Sequence, residues 1–273
     1  MPNTALMCPA TFFDVREPKN PYMCLPIDRA KAQEQWRDLR RALEDAGVKV
    51  ETIDPVEGLE DMVFAANQVF VGRHERLGKF IVPSRMRHPS RQKEVAFFVT
   101  WFHNRGYQII DLDFNGEYLE GHGDLLWHPG GSRIWAAYGF RSTRGGVEKF
   151  AAAMLELAFP VIPLQLIDEH CYHLDTCLCP LNEDAALIYP GAFSRESLDT
   201  VRAGWKRIYE LKQDEARQFI GNGIVVNGRF ITPRLTENLQ QILAQEGLTP
   251  VLIDTSEFEK SGGSVFCMKA FIE

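Results

Sequence analysis

Apolar positions in this chain repeat at two periods that take turns. In four segments, residues 28–46, 89–105, 145–158 and 235–246, they return every three or four residues, as Ala32, Trp36, Leu39 and Leu43 do in the first. That spacing predicts amphipathic helices, because 3.6 residues per turn puts such positions on one face. After each helix come a Gly or Pro and a short apolar run closing on aspartate. The four closing residues are Asp54, Asp111, Asp168 and Asp254. The first two intervals between them are 57 residues each, and the third, of 86, has room for another unit. Residues 198–218, around Ile208-Tyr209-Glu210-Leu211, fit a degenerate fifth copy. Between the units the pattern predicts strands at 62–71, 79–83, 124–127, 133–138, 185–189, 224–226 and 229–231. Asn227-Gly228 carries the signature of a tight hairpin turn. Long-period alternation of α and β predicts a ring of α/β modules.

Composition changes this picture little. A chain of 273 residues with ordinary apolar and charged fractions can bury a large core. The net charge of −7 without a basic stripe argues against a nucleic-acid or membrane-surface partner. No apolar run is long enough for a membrane span, and the first residues lack the layout of a signal peptide, so a cytoplasmic location is expected. The six cysteines, Cys8, Cys24, Cys171, Cys177, Cys179 and Cys267, are then expected as free thiols.

Candidate chemistry sits in five places. Gly262-Gly263-Ser264-Val265-Phe266-Cys267 reads as a turn that delivers a thiol. Glu120-Gly121-His122-Gly123-Asp124 sets two carboxylates about a flexible turn that runs straight into apolar Leu125-Leu126-Trp127; His122 reads as a turn residue rather than a catalyst. The segment from Cys171 to Cys179, read as a strand, puts Cys171, His173, Asp175, Cys177 and Cys179 on one face. That face fits either a zinc site or a His–Asp active-site face with cysteines as fillers, and the Cys-x-Cys spacing disfavours zinc. Asp61 and Asn67 bracket an apolar segment with a polar end at the sheet rim. Arg85, Arg87 and Arg141 follow apparent strands and could hold a carboxylate.

Taken in order, these motifs resemble the guanidino-group modifying superfamily, the amidinotransferase and arginine deiminase relatives. Asp61 to Asn67 resembles the first substrate-binding segment, Glu120 to Asp124 the Glu-Gly-x-Gly-Asp motif, His173-Leu174-Asp175 the His-x-Asp motif, and Gly262 to Cys267 the nucleophile motif. Met7 to Val15 and Lys19 to Met23 look like the arginine dihydrolase branch, with dimethylargininases more distant. Asn20 matches a substrate-contacting asparagine of that branch.

The resemblance implies a pentein-type α/β propeller, five ββαβ modules about a pseudo-five-fold axis, in one catalytic domain spanning 1–273. It implies a small-molecule substrate, arginine or a substituted arginine, and neither metal nor organic cofactor; assembly into a homo-oligomer stays open. It implies Cys267 as nucleophile, His173 as acid and base, Glu120 as its partner, and Asn67, Asp175, Asn20 and Asp61 around the substrate. Arg141 is the first choice for its carboxylate, ahead of Arg85 and Arg87. Asn67 stands where deiminases and dimethylargininases place aspartate, and an amide can donate to a neutral ureido oxygen. The expected reaction is arginine dihydrolysis to ornithine, ammonia and carbon dioxide. Deiminase and dimethylargininase activity are the alternatives, with a non-catalytic pentein or a zinc module further off.

Overall fold

A computed structural model describes residues 3–23 and 26–272. It holds five three-stranded sheets, each with its own helix. In the second module, Val69–His74 pairs antiparallel with Gly78–Pro83, the chain passes through helix Pro89–His103, and Gln108–Ile109 returns parallel to the middle strand. The third module repeats this with Leu125–Trp127, Ile134–Tyr138, helix Arg144–Glu156 and Val161–Gln165. The fourth uses Leu178–Pro180, Ala185–Ile188, helix Arg195–Ala203 and Arg207–Glu210. The fifth uses Ile224–Val226, Arg229–Thr232, helix Glu237–Gln245 and Thr249–Leu252. The first module is split. Its middle and returning strands, Thr4–Met7 and Lys49–Thr52, flank helix Arg29–Asp45, but its inner strand is Ala270–Phe271 from the other end of the chain.

Local chemistry sets the helix starts. Asp28, Thr143, Ser194 and Thr236 each accept a backbone N–H of the first turn, and Pro89 opens the second helix, where its missing donor costs nothing. Each helix then buries its apolar face between its own sheet and that of the preceding module. Phe98 and Phe102 lie among Leu6, Val69 and Ile81. Phe150 and Met154 lie among Phe80, Val82 and Ile134. Val201 packs with Trp135 and Ala186, and Leu239 and Leu243 with Leu187 and Phe230. The first helix closes the circuit: Trp36, Leu39 and Leu43 share a cluster with Met7 of their own module and with Val226 and Ile231 of the fifth. The core is therefore a ring of five clusters.

The expected hairpin forms at Asn227-Gly228, both at positive φ, 46° and 76°. Two expectations fail. Residues 62–71 are not one strand: Glu60–Val63 is a 3-10 turn and only Val69–His74 is extended. Residues 171–179 are not a strand either. Two 3-10 turns, Glu169–Cys171 and Leu174–Thr176, precede a short strand at Leu178–Pro180. In the second stretch Thr176 Oγ1 donates to the His173 carbonyl at 2.7 Å, a local bond that favours a turn over a ladder.

The five inner strands surround a central cavity of about 960 Å³, lined by Val71, Trp127, Cys179, Ile224 and Phe271 among others. Among the described residues no helix is long and apolar enough to cross a membrane.

Candidate active site

Every module places polar residues just before its inner strand. Asn67 precedes Val69–His74, Asp124 precedes Leu125–Trp127, His173 and Asp175 precede Leu178–Pro180, Asn222 precedes Ile224–Val226, and Cys267 precedes Ala270–Phe271. Five equivalent positions in a ring must converge, and a small pocket forms where they do. It is lined by Asn20, Asp61, Asn67, Arg141, His173 and Cys267, together with Lys19, Arg91 and Tyr172.

Cys267 is buried between two partners. Its Sγ lies 3.1 Å from Asp175 Oδ2 and 3.2 Å from Asn222 Nδ2. Burial, and next the charge of Asp175, push the thiol well above its usual value. Burial likewise pushes the Asp175 carboxyl up to about 7. At rest the sulfur is therefore a neutral thiol donating to Asp175. Asn222 braces this thiol further, since its Oδ1 accepts the Phe266 and Cys267 backbone N–H groups at 3.1 and 3.4 Å. Gly262 makes the delivering turn possible. It has φ of +85°, and a Cβ there would meet Asn20 at 2.6 Å and the Tyr172 hydroxyl at 2.7 Å.

His173 Nε2 lies 2.8 Å from Glu120 Oε2, which also takes Arg141 Nη1 at 3.0 Å. The other oxygen of Glu120 accepts the Arg87 backbone N–H at 2.8 Å. Burial alone would raise the Glu120 carboxyl, but Arg141 and His173 hold it well below the carboxylate range. Breaking so buried a cluster by removing one partner costs about 3–5 kcal/mol. Asp124 pins the histidine loop: its Oδ1 accepts the Leu174 N–H and its Oδ2 both Ser142 donors. His122 turns away into the core, where its Nε2 accepts the Val71 N–H. Burial pulls it down to about 3, so it is a neutral structural residue.

Asn67 is oriented by Arg91, whose Nη1 donates to Asn67 Oδ1 at 3.1 Å. Guanidinium has no acceptor, so the amide oxygen must face Arg91 and the amide nitrogen must face elsewhere. That nitrogen is buried without a hydrogen-bond partner, as are Oδ1 of Asp61 and Oδ1 of Asp175. Gly123 lets Asn67 and His173 meet here, because a Cβ would reach Asn67 Nδ2 at 2.3 Å and His173 at 3.1 Å. Asp61 Oδ2 is paired with Lys19 Nζ at 2.9 Å.

Eight of the ten residues expected from the sequence converge on this site: Cys267, His173, Glu120, Asn67, Asp175, Asn20, Asp61 and Arg141. Arg85 and Arg87 do not. Their neighbours Ser84 and Met86 point inward, so both arginines are exposed, and neither lines the pocket. The inward arginine of this region is Arg91, on the helix. Cys171, Cys177 and Cys179 are buried free thiols, with Cys179 donating to Gly223 O at 3.2 Å and Cys177 to Leu174 O at 3.5 Å. Cys24 lies outside the described residues. Among the described residues no three His, Cys, Asp or Glu side chains are grouped to hold a metal ion.

The family model for eukaryotic N,N dimethylarginine dimethylhydrolase matches residues 25–272. The chain belongs to the dimethylarginine dimethylhydrolase family. Within reach of this family, it is 34 % identical to the N(G),N(G)-dimethylarginine dimethylaminohydrolase of Mycobacterium tuberculosis, covering 96 % of this chain and 83 % of that protein. It is 35 % identical to the bifunctional arginine dihydrolase/ornithine cyclodeaminase ArgZ of Synechocystis, over 96 % of this chain but only 37 % of ArgZ. The chain thus spans little more than a third of that relative. The N-terminal domain of ArgZ, solved bound to its substrate, superimposes with a TM-score of 0.90 at 33 % identity, covering 98 % of this chain and 97 % of that one. The same domain carrying a covalently bound reaction intermediate gives 0.91 at 33 % identity, covering 99 % and 97 %.

Proposed function

We propose that this chain is an arginine dihydrolase, converting arginine and two waters to ornithine, two ammonia and carbon dioxide. The observation that carries the reading is a set of buried atoms without hydrogen-bond partners: Asp61 Oδ1, Asn67 Nδ2 and Ser261 Oγ in the pocket wall, and Asp175 Oδ1 on the carboxyl that holds Cys267 Sγ. Carboxylate oxygens of Asp61 and Asp175 are acceptors without donors, and Asn67 Nδ2 is a donor without an acceptor. Such atoms cost about 1–3 kcal/mol each when left bare, so a ligand that satisfies them is favoured. A guanidinium supplies the missing donors, and the ureido oxygen of citrulline supplies the missing acceptor. A pocket for one hydrolysis needs only the first set.

The pocket retains about 10 Å³ of free space, near the least that holds one water, so arginine enters only as the wall opens. The guanidinium then lies against Asp61 and Asp175, while Arg141 and Lys19 face the α-carboxylate. Its positive charge lowers the cost of ionising the Cys267 thiol, whose proton passes to His173, and the Asn222 N–H remains on the sulfur. The thiolate adds to the guanidinium carbon, and protonated His173 hands its proton to the departing ammonia. A thiouronium remains. Neutral His173, held by Glu120, takes a proton from water as that water attacks, and the C–S bond breaks to give citrulline.

In the second round the ureido oxygen sits on Asn67. Thiolate adds again, a second ammonia leaves, and water hydrolyses the thiocarbamate to a carbamate that loses carbon dioxide, leaving ornithine. ArgZ, whose domain has been captured as a covalent adduct, supports the chemistry by likeness.

Membership of the family and the mycobacterial relative favour a second reading, loss of dimethylamine from dimethylarginine in a single hydrolysis. Purified protein given arginine, citrulline and dimethylarginine separately distinguishes the two. The dihydrolase makes ornithine from both arginine and citrulline. Turnover of dimethylarginine alone, ending at citrulline, overturns the proposal.

A further inference from the structure

Among the described residues two lysines are buried, and they are buried differently. Lys19 is neutralised by Asp61 at 2.9 Å and Glu60 at 3.2 Å. Lys269 is 1 % exposed, and among the described residues its side chain makes no hydrogen bond or ion pair. Its Nζ lies 3.2 Å from the centroid of the Phe266 ring and 4.6 Å from that of Phe271. Aromatic faces soften the burial of a cation but do not replace a counter-charge. All three side chains line the central cavity of about 960 Å³, the space the pocket of Cys267 does not use.

The rest of the cavity narrows the choice of occupant. Among the described residues its charged lining is Arg73, Lys79, Lys269 and Glu183, and Lys269 is the buried one. His122 offers no free nitrogen, since Nε2 accepts from Val71 and Nδ1 faces the Leu125 carbonyl at 3.1 Å. Most of the wall is apolar, with Trp127, Phe159, Phe266 and Phe271 prominent. A phosphate-like dianion needs several donors around one head, and this wall presents one deep cation. The volume is far beyond a bare ion and suits an organic molecule.

We propose that the central cavity is a binding site for an organic monocarboxylate, its head on Lys269 Nζ and its apolar body against the aromatic wall. Burial lowers the Lys269 amine to about 7, against the pull of Asp175. A bound carboxylate would hold it in the charged form. The site stands apart from the proposed reaction, and its test reads binding only.

The experiment titrates 4-fluorobenzoate, and separately the uncharged 4-fluorobenzamide, into the full chain and follows fluorine NMR. Crystals soaked in 4-bromobenzoate locate the bromine by anomalous scattering. We expect saturable benzoate binding, at least tenfold weaker binding of the benzamide, and a bromine peak in the central cavity. Lys269→Met should weaken benzoate at least tenfold; the benzamide comparison needs only wild-type protein, so a variant that failed to fold would not rescue the idea. Absence of binding, equal affinity for acid and amide, undiminished binding to a folded Lys269→Met, or a bromine peak beside Arg141 instead would each overturn it.

Discussion

One short segment of this chain serves two chambers with opposite electrostatics. Cys267 faces a pocket of about 10 Å³, while Phe266, Lys269 and Phe271 face a cavity of about 960 Å³. In the pocket nearly every charge is matched. Glu120 is shared by Arg141 and His173, and Lys19 by Asp61 and Glu60. The few unmatched atoms are those a guanidinium or a urea would satisfy. In the cavity the deep lysine lies against aromatic faces and, among the described residues, its side chain makes no ion pair. The contrast shows how a closed network can prepare a site: saturating the supporting charges holds them still, so that unpaired atoms mark where the ligand goes.

The largest expected effect tests the nucleophile. Cys267→Ala should lower ammonia release from arginine at least ~10⁴-fold while leaving the circular dichroism spectrum unchanged. Residual turnover near the wild-type rate would remove the thiol from the mechanism.

Next comes the unpaired amide. Asn67→Asp keeps an acceptor toward Arg91 but loses the donor. Citrulline should accumulate, with the second hydrolysis slowed roughly 100-fold and the first far less, the loss of about one strong hydrogen bond in the second transition state. Chromatography of the products checks it, and ornithine formed with no citrulline would break the argument.

A smaller loss, about 10–100-fold in kcat, is expected for Asn222→Ala, because a hydrogen bond to a charged group is worth about 1.5–3 kcal/mol. The rate of Cys267 alkylation by iodoacetamide should also shift to higher pH. A purely structural asparagine would lower activity without moving that midpoint.

The smallest effect is on stability. The Asp175 carboxyl is pushed up to about 7 in the fold, against 3.8 ordinarily. A raised carboxyl favours the folded state below the ordinary value and loses that advantage as pH rises through 7. Asp175→Asn should therefore raise Tm relative to wild type by a few degrees at pH 8, and the gain should shrink by pH 5, at about 2–4 °C per kcal/mol for a chain of this size. A difference independent of pH would contradict the assignment.

Much of this was legible in the chain. Helices predicted at 28–46 and 89–105 form as Arg29–Asp45 and Pro89–His103, the first capped by Asp28 and marked by its apolar periodicity, the second opened by Pro89. The degenerate stretch proved a full module, with helix Arg195–Ala203 and strand Arg207–Glu210; only its closing aspartate is missing. The site was less complete. Arg91 went unseen as an inward group, although Arg91 and Glu94 fall on the buried stripe that continues through Phe98, Trp101 and Phe102. A charge pair on an apolar stripe was the available signal. Asn222 carried no motif of its own, but it occupies in the fifth module the place that Asn67 holds in the second, two residues before the inner strand. Aligning the repeats would have found it. The unmatched state of Lys269 had no sequence signal, since partners are a property of the packed ring.

The central claim is two hydrolyses at one thiol. Arginine labelled with ¹³C at the guanidino carbon, followed by NMR with the wild-type chain, tests it directly. The account predicts that the label passes to carbon dioxide and bicarbonate while unlabelled ornithine forms, with two ammonia for each arginine. Label retained in citrulline as a stable end product would contradict it.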